Sequence, residues 1–481
     1  MNKHFLLTIL LALCTASLQA ATFTLNKPMA AGQLTPLCLP VTATLADFDE
    51  LFAVGGIDDN GHASLYPVAT VAAGTPFVAR CAAARASTIF DNVTVSTAAP
   101  SERPLVWQGG SVQGDYAAYS WHYTTVLGSV GIPSQLIFDV QDLQNMNFDV
   151  TLENLSARRF LSQTRYTFNL ASQIERYNNG LLERPDEPNP VTLPIPVAAM
   201  GEVTVSVGTA EGLADVDVVT QQAAAGVCEV YNLIPQRTYY YTMTSAGAVV
   251  SRGQFHTTGH LRMIYVPTIS NVRDLGGWPT QDGRRIRYGR IFRGGELDGT
   301  NNGKSPSSAA DKQTMKDLGV TAEIDLRWTG REGDYTGRSA YGFSEADGTF
   351  YFVDGDDYAG GHLDRPETME HYRRSFNMIV STLRGGGGIY FHCVWGADRT
   401  GLFALVLEAV LGVTPDAFFK DYELTTFSIA GLRSKNNFSG QPKYFDAYAG
   451  ATIAERAANY LRTRLGIPQE DIDYFRDTML E

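Results

Sequence analysis

Near its C-terminal end the chain runs His392-Cys393-Val394-Trp395-Gly396-Ala397-Asp398-Arg399-Thr400-Gly401. A short apolar stretch, Ile389-Tyr390-Phe391, stands before it, and a long one, Leu402 to Val413, stands after it. The first suits a buried strand. The second is apolar nearly all round and suits a buried helix over 400–413. The chain must turn from strand to helix within a few residues, and Gly396 permits the curl because it has no Cβ. From Ser270 onward the pattern keeps alternating: a strand over Ala322–Leu326, an amphipathic helix over 366–383, a strand over 389–392. Such alternation predicts an α/β domain with a mostly parallel central sheet and helices on both faces.

A loop at the start of a helix has unpaired backbone N–H groups and a favourable dipole, so it can cradle an anion. Here the N–H groups of Val394, Trp395, Gly396 and Ala397 would face a phosphate, and Arg399 would grip two of its oxygens with a planar fork. The same positive field lowers the pKa of a cysteine thiol and makes Cys393 a candidate nucleophile. Thr400 is placed to hydrogen-bond the sulfur, and His392 to orient the loop backbone. A lone cysteine on a strand is usually a small buried hydrophobe, and a bare C-x5-R arises by chance. The full string between strand and helix is far more specific. Its chemistry is transfer of a phosphoryl group to sulfur and then to water.

The string HCxxGxDRTG resembles the signature of cysteine-dependent protein tyrosine phosphatases. The nearest branch is the bacterial tyrosine and dual-specificity enzymes whose loop reads HCxAGKDRTG. Asn271-Val272-Arg273-Asp274-Leu275-Gly276-Gly277 resembles that branch's NFRDLGG block, and Arg290-Ile291-Phe292-Arg293-Gly294-Gly295-Glu296-Leu297 its GRLFRSGEL segment. Ile324-Asp325-Leu326-Arg327 resembles its IDLR strand, and the tail from Tyr460 to Leu480 its closing helix pair. The resemblance covers roughly 262–481. It implies the phosphatase fold, a phosphocysteine on Cys393, and no cofactor or metal. The branch's usual lysine is Ala397 here, which weakens the case for multiply charged head groups.

The leaving group needs a proton, commonly from a carboxylic acid. Asp398, inside the loop, is the first candidate, and the resemblance supports it; the alternative is that it bonds the loop's own backbone. Asp325, at the end of a predicted strand, is the second; its alternative is a salt link to Arg327. Asp354, Asp356 and Asp357, in an acidic loop before the 366–383 helix, are the third group. Arg273 and Arg293 are the candidates for supporting the site or meeting substrate. Arg284, Arg285, Arg287 and Arg290 read as surface charge around a hairpin at Asp282-Gly283.

The chain has 481 residues, 44% of them hydrophobic, and a formal charge of −13. That allows several domains and argues against nucleic-acid binding. Met1 to Lys3, the apolar run Phe5 to Leu13 and the small residues to Ala20-Ala21 read as a signal peptide over 1–20, so the mature chain is expected to be exported: periplasmic, cell-surface or secreted. Cys14 raises a lipoprotein alternative, disfavoured by Leu13 before it. No other run reaches the length of a membrane span.

Residues 21–155 read as a β-rich domain. Trp107, Tyr116, Tyr119 and Trp121 suggest either core packing or a glycan-binding face. Residues 156–192 read as a connecting segment, a short helix or excursion over 158–182, then a proline- and charge-rich linker over 183–190. Residues 193–260 read as a β-sandwich, because Leu233 to Tyr241 resembles the corner of fibronectin type III modules, where a tyrosine bonds back to the backbone. Cys38 and Cys81 fall in one domain and could pair.

Three functions fit. The first is an exported phosphatase for phosphotyrosine or with dual specificity, acting on a phosphorylated protein or small phosphoester, with the N-terminal domains as spacers or docking units. The second is an inositol-phosphate or phosphoinositide phosphatase. The third is a non-catalytic phospho-ligand binder, against which the presence of both Cys393 and Arg399 speaks.

Overall fold

The computed structural model describes residues 21–57, 62–94, 106–113, 116–122, 137–140, 146–162, 186–196, 201–215, 217–222, 227–299, 308–329, 337–355, 363–437 and 441–481. The signal-peptide residues, Asp356 and Asp357, and most of the segment over 158–182 lie outside them. Among the described residues no helix is long and apolar enough to cross a membrane. The chain divides into two compact units, one formed by 1–54 with 67–122, the other by 55–66 with 123–481.

The described part of the first unit is mostly strands, as its alternating pattern predicts. Leu34–Cys38 and Glu50–Ala53 both pair antiparallel with Pro76–Arg80, and Ala21–Leu25 pairs antiparallel with Thr88–Val93. Phe23, Phe48, Phe77 and Phe90 form the aromatic centre of the core, with tilted or edge-on ring contacts. Cys38 and Cys81 are both buried and both free thiols. Cys81 Sγ lies 3.8 Å from the sulfur of Met29. Trp107, Tyr116, Tyr119 and Trp121 lie on two paired strands, Val106–Gln113 and Tyr116–His122; their side chains are outside the described set.

The second unit opens with two packed sheets. Glu202–Gly208 sits between Asp217–Gln222 and Thr238–Ser245, all antiparallel, and Thr238–Ser245 pairs in turn with Ala248–Thr258. Val191–Pro194 and Val227–Val230 form the facing ribbon. Inward-facing residues of both, Val203, Val205, Tyr241, Leu193 and Cys228 among them, share one core. The larger sheet also takes in Met146–Thr151, parallel to Gly253–Thr258, so it draws on residues well before 193. That strand leads through Asn154, whose side chain accepts the N–H of Ala157 at 2.8 Å, into a helix over Leu155–Leu161. Residues 186–190, read from sequence as linker, are pinned: Asp186, Pro188 and Pro190 are buried. Prolines suit a fixed extended strap as well as a spacer.

The C-terminal domain is a three-layer α/β structure. Its strands, labelled within this domain, are β1 (Arg273–Asp274), β2 (Ile291–Gly294), β3 (Val320–Asp325), β4 (Phe350–Phe352) and β5 (Gly388–His392). They lie in the order β1-β2-β5-β3-β4, with β1 antiparallel to β2 and the rest parallel. Helices α1 (Ala309–Asp317), α2 (Pro366–Arg384), α3 (Asp398–Leu411), α4 (Pro415–Leu424), α5 (Ile453–Thr463) and α6 (Gln469–Met479) complete it. Every residue of β5 is buried, as its unbroken apolar run requires of a central parallel strand. In α3 every residue after Asp398 is buried. The helix stops at Gly412, which takes the left-handed φ of 79° that ends helices without a Cβ penalty.

Leu407 is fully enclosed in α3, where truncation leaves a cavity. Leu407→Ala is expected to cost about 2–5 kcal/mol of unfolding free energy. Ala on the exposed Ile429 should cost within about 0.5 kcal/mol, both measured by urea denaturation.

Candidate active site

The loop from Cys393 to Ala397 leaves the C-terminal end of the central strand β5 and enters α3, as the sequence predicts. What fixes it is the destination of its carbonyls. The Cys393 carbonyl accepts from His392 Nδ1 at 3.1 Å. That of Val394 accepts the N–H of Glu296 at 3.0 Å. That of Trp395 accepts from Asn271 Nδ2 at 2.9 Å, and that of Gly396 from Asn271 Nδ2 at 3.1 Å and Arg293 Nη2 at 3.0 Å. The Ala397 carbonyl accepts the N–H of Gly401 at 2.7 Å. Because peptide N–H and C=O point opposite ways, carbonyls drawn out of the curl turn N–H groups inward. Among the described residues no protein acceptor takes the N–H of Val394, Trp395, Gly396 or Ala397. The result is a concave set of donors at a helix N-terminus, which suits an anion.

Gly396 is required twice over. Its φ is +65°, and a Cβ there would stand 2.3 Å from the Gly294 carbonyl. The loop therefore lies directly against the end of β2.

Cys393 is 3% exposed at the floor of the curl. Burial pushes its thiol up, but the Arg399 guanidinium and the Thr400 hydroxyl and backbone N–H outweigh it, and the thiol ends below its ordinary value. Arg399 and Thr400, the second and third residues of α3, are both buried, so the sequence string brings them to the sulfur as expected.

Asp398 is placed differently from a carboxyl that bonds its own loop. Its side chain accepts the Tyr422 hydroxyl at 2.8 Å and a two-point grip from Arg433, Nε at 3.0 Å and Nη2 at 3.1 Å. It is still 25% exposed and remains at the loop. Asp325 does not face a ligand. It is fully enclosed and held at both oxygens by Arg327, at 2.7 to 3.1 Å, so it is a structural ion-pair partner. Asp354 is exposed, and its carboxylate accepts the N–H and hydroxyl of Thr329, both at 2.8 Å, which ties the loop after β3. Asp356 and Asp357 lie outside the described residues.

His392 sits under the loop. Nε2 bonds Glu323 at 3.0 Å and Nδ1 lies 4.0 Å from Asp325. Burial alone would lower its pKa, but the carboxylates of Asp325 and Glu323 raise it to about 9. Glu323, Asp325 and His392 bring their donor atoms within 4.8 Å of one another. Arg327 already fills both Asp325 oxygens and His392 donates to Glu323, so the cluster is an ion-pair network rather than a cation cage.

Arg273 and Arg293 are buried behind the loop, both paired with Asp421. Arg273 donates to Asp421 at 2.8 Å and to Asn271 Oδ1 at 2.6 Å. Arg293 bonds Asp421 as well as the Gly396 carbonyl. Burial pushes the Asp421 carboxyl up, and the two arginines bring it below its usual range. Glu408, buried near Asp421 without such donors, is pushed well above its own. Arg284 pairs with Asp282, Arg285 and Arg287 with Glu481, and Arg290 with the Gly386 carbonyl, all on the surface. The sequence does not mark Asn271 as the clamp, although Asn271 opens the Asn271–Gly277 block. Nor does it mark Glu296, Asp421, Tyr422 or Arg433. Nothing local marks Asp421 or Arg433, since their partners lie far away in the chain.

Residues 264–481 match the model of the tyrosine phosphatase family. A provisionally named tyrosine-protein phosphatase of Cupriavidus necator is 32% identical, over 32% of this chain and 60% of that protein. The triple specificity protein phosphatase PtpB of Mycobacterium tuberculosis is 30% identical, over 24% of this chain and 41% of that protein. The chain thus spans about two fifths to three fifths of the length of these relatives. Among solved structures, the human tyrosine phosphatase-like serine/threonine/tyrosine-interacting protein aligns over 33% of this chain and 91% of that one, at 13% identity and a TM-score of 0.24, a likeness too slight to bear on the fold.

The raised pKa of His392 has a consequence for stability. A group raised on folding contributes stability that is fully present below its unfolded value near 6.5 and lost as pH rises through about 9. Wild type should lose on the order of 3 kcal/mol across that window relative to His392→Asn, read from urea denaturation at pH 6 and pH 9.5. Equal pH slopes for the two proteins would show that the imidazole is not held as a cation.

The matched region, from residue 264 to the end, is similar in sequence to the tyrosine phosphatase family.

Proposed function

We propose that this chain is a cysteine-dependent phosphatase for phosphate monoesters, with phosphotyrosine or a broader set of phosphorylated side chains as substrate. The observation that carries the reading is the tying of each loop carbonyl from Cys393 to Ala397 away from the curl, with a lowered-pKa thiol at its centre.

The Cys393 thiolate attacks phosphorus, the P–O bond to the leaving group breaks, and the phosphoryl group rests on sulfur. The loop N–H groups and Arg399 hold its oxygens and stabilise the charge that builds on them. The leaving oxygen takes a proton, for which Asp398 is the candidate. Water then attacks phosphorus and gives its proton to the Asp398 carboxylate left by the first step, the S–P bond breaks, and the thiolate is restored, stabilised by Arg399 and Thr400. Asp398 must release Arg433 or share it to carry that proton.

Export and a fibronectin III-like module are part of the same proposal. Residues 1–20 support the first. The second draws support from Tyr239, whose hydroxyl accepts the N–H of Ile234 at 2.9 Å at the corner where such modules place a tyrosine.

Cys393→Ser should abolish turnover of an aryl phosphate assayed without added metal, while inorganic phosphate still binds. Equal activity in variant and wild type sinks the mechanism. Asp398→Asn should slow esters with poor leaving groups by about 10²-fold or more and barely touch those with good ones. Uniform slowing would assign the proton to another group.

A further inference from the structure

Asp186 lies 85 residues before Asn271 and outside the region that matches the phosphatase family. Its carboxylate nonetheless accepts the backbone N–H of Asn271 at 2.9 Å. Both residues are buried, at 6% and 3% exposure. Asn271 is the residue whose side chain ties back the Trp395 and Gly396 carbonyls, and its backbone is left-handed, with φ of 62°. Asparagine enters that conformation more readily than other non-glycine residues, and fixed neighbours keep it there in one arrangement. A hydrogen bond to a carboxylate is the stronger kind and suits that task.

The strap that carries Asp186 is itself anchored. Asn154 Nδ2 donates to the Glu187 carbonyl at 2.6 Å, and Asn189 Nδ2 donates to the carbonyls of Thr151 and Glu153 at 3.2 and 3.0 Å. The short helix after Asn154 places Ala157 and Phe160 in the core of the C-terminal domain, with Phe160 edge-on to Phe427 at 5.8 Å. Lys420, one residue before Asp421, donates to the Leu161 carbonyl at 2.9 Å.

We propose that Asp186 is a positioning residue for the phosphate loop: it fixes Asn271, and Asn271 fixes the inward ring of N–H groups. This rests on the reading of the loop as a phosphate cradle. It follows that the region from 264 onward lacks part of its own loop support and borrows it from the strap that leads into Val191–Pro194.

The test uses the full chain with Asp186→Leu, which removes the acceptor, and Asp186→Asn, which keeps one acceptor oxygen in place. Two readouts are taken: kcat and KM on an aryl phosphate, and iodoacetamide alkylation of Cys393 against pH, with and without protection by inorganic phosphate. Asp186→Leu should weaken phosphate protection and raise KM by about 10–100-fold, the worth of a hydrogen bond to a charged group. It should also move the alkylation midpoint to higher pH, and Asp186→Asn should restore most of both effects. Wild-type KM, protection and alkylation in a folded Asp186→Leu overturn the proposal, as does an Asn variant as impaired as the Leu variant. Should Asp186→Leu not fold, Asp186→Ser takes its place, since its shorter side chain cannot reach the Asn271 N–H, and the same shifts are expected. A wild type that hydrolyses no phosphate monoester refutes the enzymatic reading, while phosphate protection of Cys393 still decides the role of Asp186.

Discussion

The direction in which the loop's carbonyls are drawn governs the rest of the site. A peptide unit cannot present its oxygen and its N–H on the same side, so a ring of inward donors exists only if something outside holds the oxygens. Here that something is spread over the domain: His392 at the end of β5, Glu296 after β2, Asn271 before β1, Arg293 within β2, and Gly401 in the first turns of α3. The sheet order places β2 beside β5, and so brings most of these anchors to one edge of the loop.

Behind the anchors lie two buried charge networks. Arg273 and Arg293 converge on Asp421. Arg327 converges on Asp325, Glu296 and Asp298, with His392 between Glu323 and Asp325. Buried ion pairs add little net stability, because desolvation consumes much of the attraction, but removing one partner leaves a stranded charge that costs several kcal/mol. Such networks suit fixing geometry. Arg399 contributes the largest lowering at the sulfur, and the loop's acidic member, Asp398, is held by Arg433 and Tyr422.

Much of this was legible in the sequence, and for a physical reason. A buried parallel strand and a buried helix are unbroken apolar runs, and the loop between them carries the cysteine, glycine and arginine on which the reading as an anion site rests. The 366–383 helix is found over 366–384, because its 3.6-residue period and the leading Pro366 are local signals. What could not be read was pairing at long range. Asp325 stands in a block that looks functional, but only the fold shows both its oxygens filled by Arg327. Asp421 and Arg433 have no local mark at all. The stretch 186–190 carries prolines and charges that read as a spacer, and only its burial against Asn271 gives it a different part.

The anchoring of consecutive carbonyls also bears on how such a chain can change over time. The carbonyls from Cys393 to Ala397 meet donors held on several separate segments, with Asn271 serving two of them, and Gly396 has no room against Gly294 for even one more carbon. A half-buried side chain such as that of Trp395 can be exchanged without moving the backbone, whereas one inserted or deleted residue would shift every later carbonyl off its donor at once. Length in this stretch is therefore much less free to drift than composition.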